Sequence, residues 1–342
     1  MRIRRTTGFG TYIVIILITT VILIGVKKTN SGDAEWLITA PDSDNEQTII
    51  FDVEKGESGK AVAKNLKEKN LINSYWKFYG YLKDNDLGHT IQAGRFVLKQ
   101  SMSPADIIHA LTSGAGQVAI TIPEGFTLEQ IDDRITASGL AQNDQFKDCA
   151  KNCHLDDTWD FLKNASSLEG YLFPDTFFLD PASYTNEGFF NRLLDNFETK
   201  FLTPQNQTAI QASSRTLNEI VIMASIVERE AFLDEDYTVI AGILWKRLDN
   251  DWPLDADATL LYVLDDPSDL VANLDLDSPY NSRKNRGLPP TAISNPGLTA
   301  LNAALYPQDS PYWFYLNDQD TGKAHFATTN DEHNANKAKW LK

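Results

Sequence analysis

The sequence predicts an α+β protein with an N-terminal transmembrane helix, a small β-α-α-β subdomain, and a larger mixed α/β domain around a buried central helix. Three patterns support this prediction. Residues 11–26 are apolar and uncharged, residues 48–111 alternate between strand and helix patterns, and residues 216–231 are helical and apolar nearly all round. The predicted boundaries are 1–28 for a basic tip and anchor, 29–47 for a flexible tether, 48–116 for the subdomain, and 117–342 for the larger domain.

The N-terminal run 11–26 reads TYIVIILITTVILIGV and, with the residues before it, is long enough to span a bilayer. Three arginines precede the run and two lysines follow it, a slight bias that favours an N-terminus in the cytoplasm and a body outside it. A cleaved signal peptide is the competing interpretation. Because no small-x-small cleavage site follows the run, we favour an uncleaved single-pass anchor in the cell membrane.

The charge of the body excludes some partners. The formal net charge is −16, and residues 1–28 contribute five positive side chains and no acid, which leaves −21 on the rest. A body this acidic does not bind nucleic acid or an anionic membrane surface through bulk charge. A neutral or zwitterionic polymer is the more natural partner.

The subdomain is predicted to begin at residue 48 with a strand, TIIFDV, and to close with a helix that Ser103 caps and Pro104 starts. Between them we predict an amphipathic helix at 61–69, an aromatic-faced helix at 75–83 and a returning strand at 93–98. This β-α-α-β plan resembles the LysM-type glycan-binding module, although many small α+β units share it.

The larger domain is predicted to begin with a strand and a helix, and a polar link leads to the central helix. The predicted elements are strand 117–123, helix 128–138, helix 189–201, helix 239–248, helix 298–305, and paired strands 312–316 and 325–328. The segment 168–179, LEGYLFPDTFFL, has two interpretations: a core strand broken by a turn, or an aromatic wall of a sugar-binding groove.

Two cysteines lie in an acidic, helical stretch of the larger domain. Cys149 and Cys153 are followed by His154, but this pattern lacks the second ligand pair of a zinc site, so we predict no metal. A disulfide is compatible with a location outside the cytoplasm. Two thiols without a role are the plain alternative.

The central helix ends in two acids, Glu228 and Glu230, which point to nearly opposite sides. On a helical wheel, Glu230 falls between Met223 and Ile226. A carboxyl group among apolar neighbours has a raised pKa, which suits a general acid near neutral pH. The alternative is a frayed helix end with both acids hydrated, and the wheel does not choose between the two acids.

Residues from about 48 to 342 resemble the endolytic murein transglycosylases, a membrane-anchored family once labelled aminodeoxychorismate lyase-like. Six motifs carry the resemblance in family order: EGYLFPDT at 169–176, ASIVERE at 224–230, SPYN at 278–281, GLPP at 287–290, NPG at 295–297 and EHN at 332–334. The chain departs from the family pattern at Lys246, which replaces an asparagine, at Asp255, which replaces a glutamine, and at 290–292.

The resemblance implies cleavage of nascent peptidoglycan strands between MurNAc and GlcNAc. The products are 1,6-anhydro-MurNAc ends, and strand elongation terminates. The family's catalytic glutamate is the second acid of the S-I-V-E-x-E motif, here Glu230. One glutamate suffices, because the sugar's own C6 hydroxyl replaces water as the nucleophile, whereas hydrolytic glycosidases use two carboxylates.

The residues predicted to hold the sugar lie in the family motifs, and for each of them a structural role in a loop is the alternative. They are Glu169, Asp175, Asp257 and Tyr280, with Asn281 and His333 as weaker candidates. The expected partners are peptidoglycan glycan strands and the membrane, with cell-wall synthases as a further class, and no cofactor is expected.

Two other functions compete with the lyase. A muramidase-type hydrolase would use the same groove, with Asp257 or Glu228 activating water. A non-catalytic peptidoglycan-binding scaffold would recruit cell-wall synthases. The old amine-lyase label requires a pyridoxal lysine, and no residue of the sequence marks one.

Overall fold

The computed structural model describes residues 35–45, 47–114, 117–153, 155–318 and 320–341. The chain divides into two compact units, one up to Gly114 and one from Ala115 onward. The predicted anchor at 11–26 lies outside the described residues. Within the described ranges, no helix is both long enough and apolar enough to cross a membrane.

The first unit pairs two antiparallel strands and packs helices against them. Its elements are α1 (Glu35–Ile38), β1 (Thr48–Val53), α2 (Gly59–Glu68), α3 (Tyr75–Asp84), β2 (Gly94–Lys99) and α4 (Pro104–Ser113). Phe51 of β1 lies opposite Phe96 of β2, and both are buried with Leu66 and Phe78 of the helices. Alternate strand residues therefore face the helices, as the period of two requires.

Side-chain caps fix where the helices of the first unit begin. The hydroxyls of Ser58 and Ser74 accept from backbone N–H groups of α2 and α3. At α4, Ser103 and Asp106 form a capping box, and Pro104 takes the first helical position, where its missing N–H is not needed. The predicted start of this helix is therefore confirmed.

The second unit surrounds one helix with two small sheets and further helices. Its elements are β3 (Val118–Ile122), α5 (Leu128–Ser138), α6 (Gln145–Asn152), β4 (Asp175–Leu179), α7 (Asn186–Phe201), α8 (Pro204–Ala212), α9 (Leu217–Glu230), α10 (Tyr237–Asp249), α11 (Asp257–Leu261), α12 (Leu298–Leu305), β5 (Phe314–Asn317), β6 (Ala324–Ala327) and α13 (Asn330–Trp340). Short 3-10 helices occur at Leu155–Asp157, Asp160–Leu162, Pro267–Asp269 and Val271–Asn273. Strands β3 and β4 pair antiparallel, as do β5 and β6.

The central helix α9 is buried along most of its length, from Ile220 to Val227. Thr216 and Glu219 form the capping box that the sequence predicted at its start. The helix packs against α10, α11 and α12, which explains why its pattern is apolar nearly all round.

The α+β class is confirmed, but the prediction missed two helices of the second unit. The polar link before the central helix contains the helix α8, where Thr203 caps the N-terminus and Pro204 takes the first position. The terminal helix α13 was not predicted. It has no buried residue, so it lacks the apolar period on which the helix prediction relied.

The segment at 169–174 is a turn that packs on the central helix. Gly170 has φ +95°, and a Cβ there would collide with Val221 of α9 and with Ala292. The adjoining loop is bonded to the same helix: Ser225 Oγ accepts from Ile293 N–H at 3.0 Å, and Ser294 Oγ donates to the Ser225 carbonyl at 3.1 Å. The turn at 169–174 and the loop at 292–294 therefore both pack against the central helix.

Cys149 and Cys153 form a disulfide across the C-terminal end of α6. The bond closes a loop of about five residues, for which the chain-entropy model gives roughly 2 kcal/mol of stabilisation. A disulfide also fits an oxidising compartment.

We expect the double change Cys149→Ser and Cys153→Ser to lower the free energy of unfolding by about 2 kcal/mol and to leave activity unchanged. The pair lies outside every family motif, so it has no expected part in chemistry. Urea unfolding and glycan turnover of the double variant check this expectation. Loss of turnover in a protein that remains folded would contradict it.

Candidate active site

Glu230 is the last residue of α9, and strand β5 donates hydrogen bonds both to its side chain and to its backbone carbonyl. Tyr315 Oη donates to Glu230 Oε2 at 3.1 Å, and Asn317 Nδ2 donates to the Glu230 carbonyl at 2.7 Å. Tyr315 and Asn317 share one face of β5 because side chains alternate along a strand. The second bond satisfies a carbonyl that a helix end leaves without an intrahelical donor. The glutamate is therefore fixed in place, not frayed.

The surroundings of Glu230 favour its protonated form. Burial raises the pKa of Glu230, and the nearby charge of Asp257 raises it further. The Tyr315 hydroxyl, the Ala258 N–H and the Arg247 charge oppose that rise in pKa. A carboxyl group that can hold a proton above its ordinary range is suited to donate it and take it back.

Arg283 forms ion pairs with two acids, Asp255 and Asp257, close to Glu230. Its guanidinium contacts Asp255 Oδ1 at 2.8 Å and, through Nε, Asp257 Oδ1 at 2.9 Å. Asp255 has φ +54°, in the left-handed region. The negative charge of Glu230 acts on Arg283, which places this ion-pair cluster within electrostatic reach of the catalytic candidate.

Glu228 faces a different part of the fold. Its Oε2 accepts from Gly297 N–H at 2.9 Å, and its pKa is raised by burial and by the charge of Glu124. Gly297 is the residue that precedes α12. The structure thus separates the two acids, since Glu230 is bonded to β5 and Glu228 to the start of α12.

Glu169 lies in the interior, with 4% of its surface exposed. Its carboxyl group accepts from Leu128 N–H at 2.9 Å, from Asn295 Nδ2 at 2.6 Å, and from Tyr262 Oη at 3.2 Å. Burial raises the pKa of Glu169 to about 7, against the lowering effect of these donors. The residue joins α5, the turn at 169–174 and the loop at 295, so the structure gives it a role in the fold.

Asp175 and Asn281 also have partners within the fold. Asp175 Oδ2 accepts from Lys200 Nζ at 2.6 Å and from Asn196 Nδ2 at 2.9 Å, and the Lys200 bond lowers the pKa of Asp175. Asn281 is fully buried, and its amide donates to the carbonyls of Leu274 and Leu276, both at 2.9 Å. Direct contact of these two residues with a sugar stays a prediction.

Tyr280 and His333 lie on separate parts of the second unit. Tyr280 Oη is 2.7 Å from Thr291 Oγ1, and its ring is 5.2 Å from the ring of Tyr262. His333 stacks on Phe314 of β5 at 5.1 Å, and burial lowers the pKa of its imidazole. Phe314 adjoins Tyr315, so His333 lies behind the strand that holds Glu230.

Sequence reasoning missed three residues that the site depends on. Tyr315 was seen only as part of a strand, Arg283 only as a loop residue, and Asn295 only as part of a turn. Asn295 is fully buried, and its Oδ1 accepts from Gly170 N–H at 2.8 Å while its Nδ2 binds Glu169. For Asn295, the sequence offered one sign, its position directly before Pro296 and Gly297. A polar residue at such a position either forms a turn or is buried and makes several hydrogen bonds.

The fold and this site define an α+β protein with a half-buried carboxyl group of raised pKa, held for acid-base chemistry at the end of a buried helix. The chain belongs to the YceG-like family, which matches residues 51–339. In the described part of the chain, no group of three or more His, Cys, Asp or Glu side chains is arranged to hold a metal ion.

The relatives from Bacillus subtilis and Streptococcus pneumoniae are named for the same activity. An endolytic murein transglycosylase of Bacillus subtilis is 31% identical over 326 residues, which is 89% of this chain and 88% of that protein. One from Streptococcus pneumoniae is 27% identical over 332 residues, and the match spans 59% of that longer protein. The crystal structure of a YceG-like protein from Listeria monocytogenes is 29% identical with a TM-score of 0.59, and the match covers 84% of this chain and 99% of that one.

Proposed function

We propose that this protein is an endolytic lytic transglycosylase that cleaves nascent peptidoglycan glycan strands between MurNAc and GlcNAc and leaves 1,6-anhydro-MurNAc ends. The observation that carries the proposal is the Glu230 carboxyl group, half-buried, raised in pKa and held by Tyr315 at the end of a buried helix. The names of the relatives at 31% and 27% identity support the same reaction.

The reaction needs one group that gives a proton and then takes one. Glu230 donates its proton to the glycosidic oxygen of the departing GlcNAc, and the bond from that oxygen to C1 of MurNAc breaks. The C6 hydroxyl oxygen of MurNAc forms the new bond to C1, and its proton passes to Glu230. Atoms and charges balance without water, and the carboxyl group ends in its starting state.

Among the predicted sugar-binding residues, Asp257 and Tyr280 have the best claim to substrate contact. Asp257 is partly exposed beside Glu230, and Tyr280 is half-buried next to the Tyr262 ring. Glu169, Asp175 and Asn281 are bonded within the fold and His333 stacks on Phe314, which supports a positioning role for these four residues.

The test is mass analysis of the glycan ends after the full chain, purified in detergent, has acted on nascent strands. Anhydro ends are lighter by one water than hydrolysed reducing ends. Release of anhydro ends supports the proposal. Reducing ends would support the muramidase alternative, and no turnover would support a binding scaffold.

The hydrolase is the weaker enzyme candidate because the acids that would activate water are engaged. Asp257 is paired with Arg283, and Glu228 accepts from Gly297 N–H. Asp257 lies beside Glu230 but is held in the ion pair with Arg283, and Glu228 is bonded to the start of α12, so neither carboxylate is placed as the second acid of an inverting or retaining pair.

We propose in addition that the protein is a single-pass protein of the cell membrane, with its N-terminus cytoplasmic and its body outside. The charge-free run at 11–26 and the Cys149–Cys153 disulfide support this location. The β-α-α-β order of the first unit supports a LysM-like glycan-binding role, and cell-wall synthases are proposed as partners. Protease added to intact protoplasts should degrade the body, and full protection would exclude this topology.

We expect Tyr315→Phe to move the high-pH limb of kcat/KM to higher pH. Glu230 must be protonated for the first step, so activity falls as pH rises through its pKa. The Tyr315 hydroxyl stabilises the ionised carboxylate, and its loss raises the pKa of Glu230 further. The pH profiles of wild type, Tyr315→Phe and the control Tyr312→Phe check this. A limb that moves to lower pH, or does not move, would contradict the assigned role of the bond.

A further inference from the structure

A polar cleft of about 430 Å³ lies in the same unit as Glu230, between the start of α9, the end of α10 and the segment after α12. Its walls include Arg215, Trp245, Lys246, Asp249, Asp309 and Ser310. None of these residues was assigned a role by the sequence motifs or by the proposed chemistry.

Charges of both signs line this cleft. Arg215 pairs with Asp249, and its guanidinium lies 4.3 Å from the centre of the Trp245 ring. Lys246 Nζ donates to the Ser310 carbonyl at 2.6 Å and lies 4.9 Å from the centre of the Trp313 ring. Asp309 is exposed, and its charge acts on Lys246. Cations and carboxylates are therefore presented side by side.

The cleft also holds hydrogen-bonding capacity that the described residues do not use. Ser310 Oγ is buried, and no described residue is its hydrogen-bond partner. The Lys246 ammonium has three N–H donors, and among the described residues one acceptor is found, the Ser310 carbonyl. A buried hydroxyl without a partner is costly, so a ligand or water that bonds to it gains affinity.

The wall that carries Ser310 is placed by a close backbone approach. A Cβ on Gly242 of α10 would collide with the backbone of Gln308, so only glycine lets this segment lie against the helix. Thr238 accepts from Gln308 N–H through its carbonyl at 2.9 Å, which fixes the same approach. The close contact at Gly242 and the hydrogen bond to Thr238 therefore fix the position of this wall of the cleft.

Helix α9 and the segment 310–315 each extend from the cleft to Glu230. Ile220 of the cleft and Glu230 are ten residues apart on α9, about 15 Å along the helix axis. The segment from Ser310 to Tyr315 also joins them, since Ser310 lines the cleft and Tyr315 bonds to Glu230. The separation matches a short extended peptide, because about four or five residues span roughly 13–18 Å.

We propose that this cleft binds the short peptide attached to the muramic sugar of the strand being cut, with its carboxylates on Lys246 and Arg215 and its free amine on Asp309. This proposal rests on the proposed function, since it assigns a second part of the same substrate. A zwitterionic peptide complements a wall with both charge signs, whereas the sugar chain offers only hydroxyls and amides.

The first test is direct binding. Peptides released from peptidoglycan by an amidase are titrated into the full chain, as wild type, Lys246→Met, Asp309→Asn and the exposed control Lys163→Met. We expect wild type and the control to bind alike, and each cleft variant to bind roughly tenfold more weakly, about 1.4 kcal/mol, as for loss of one charge-assisted bond. This measurement needs no turnover, so it stands apart from the test of the proposed function.

The second test compares peptide-bearing strands with the same strands stripped of peptides. We expect Lys246→Met to raise KM on peptide-bearing strands roughly tenfold with kcat little changed, and to leave KM on stripped strands unaltered. Asp309→Asn changes an exposed residue and serves where Lys246→Met does not fold. Absence of peptide binding by wild type, equal binding by both cleft variants and wild type, or equal KM changes on the two substrates would overturn the proposal.

Discussion

The Glu230→Gln protein is expected to fold, to bind glycan strands, and to produce no anhydro ends. Glutamine keeps the shape of the side chain and its contact with Tyr315, but it has no proton to transfer. The bond from Asn317 to the Glu230 carbonyl involves the backbone and is unaffected by the change. The loss therefore falls on chemistry and not on the helix end.

The size of this loss follows from the number of proton transfers that the residue performs. A general acid or base typically contributes about 10²–10⁴-fold to a rate. In the proposed reaction, the same carboxyl group protonates the departing oxygen and then accepts the C6 proton. We therefore expect kcat to fall by at least about 10⁴-fold, the upper end of that range.

Glu228→Gln is the matched control, because it makes the same chemical change two residues away on the same helix. Its carboxylate bonds to Gly297 and not to β5, so we expect a much smaller effect on kcat. Release of anhydro ends, urea unfolding and strand binding are measured on both variants. A fully active Glu230→Gln protein, or a Glu228→Gln protein that alone is inactive, would transfer the catalytic role away from Glu230.

Periodic patterns explain why much of the fold was predictable. The capping box of Thr216 and Glu219, the apolar run behind it, and the alternation in β1 each specify a local element without reference to the rest of the chain. The wheel also placed Glu230 among apolar neighbours, and burial does raise its pKa. Local periodicity is sufficient where burial on one face decides the element.

The contacts that complete the site were not predictable because they join residues far apart in the chain. Tyr315 meets Glu230 across 85 residues, and Asn295 meets Glu169 across 126. No local pattern encodes such a pair, and a loop that reads as a turn gives no sign that its amide is buried. The helix α13 was missed for the opposite reason, since it is exposed and has no apolar face to detect.

Glu169→Ala is expected to lower the free energy of unfolding by about 2 to 6 kcal/mol. The change removes the acceptor for the Asn295 amide and for Leu128 N–H. Each buried polar group left without a partner costs about 1–3 kcal/mol. Because Asn295 also holds the turn at Gly170, we expect this turn and the loop at 295 to lose order and activity to fall with stability.

The Glu169→Gln variant distinguishes two contributions of this residue to the free energy of unfolding, that of side-chain packing and that of the titrating carboxyl group. The pKa of Glu169 is raised from its ordinary 4.5 to about 7, so the folded state favours the protonated form and binds more protons than the unfolded state between these values. The contribution of Glu169 to stability is thus fully present below about pH 4.5 and is lost as pH rises through 7. Glutamine does not titrate and lacks this dependence.

The free energy of unfolding, measured by urea at pH 5 and at pH 8 for wild type, Glu169→Gln and Glu169→Ala, tests both statements. We expect wild type to lose stability relative to Glu169→Gln between the two pH values, by on the order of 3 kcal/mol for the full shift of the pKa. Glu169→Ala should be the least stable of the three at pH 5. If wild type instead gained stability over Glu169→Gln at pH 8, the ionised carboxylate would be the form that the three donors hold, and Glu169 would join α5 and the 295 loop through its charge.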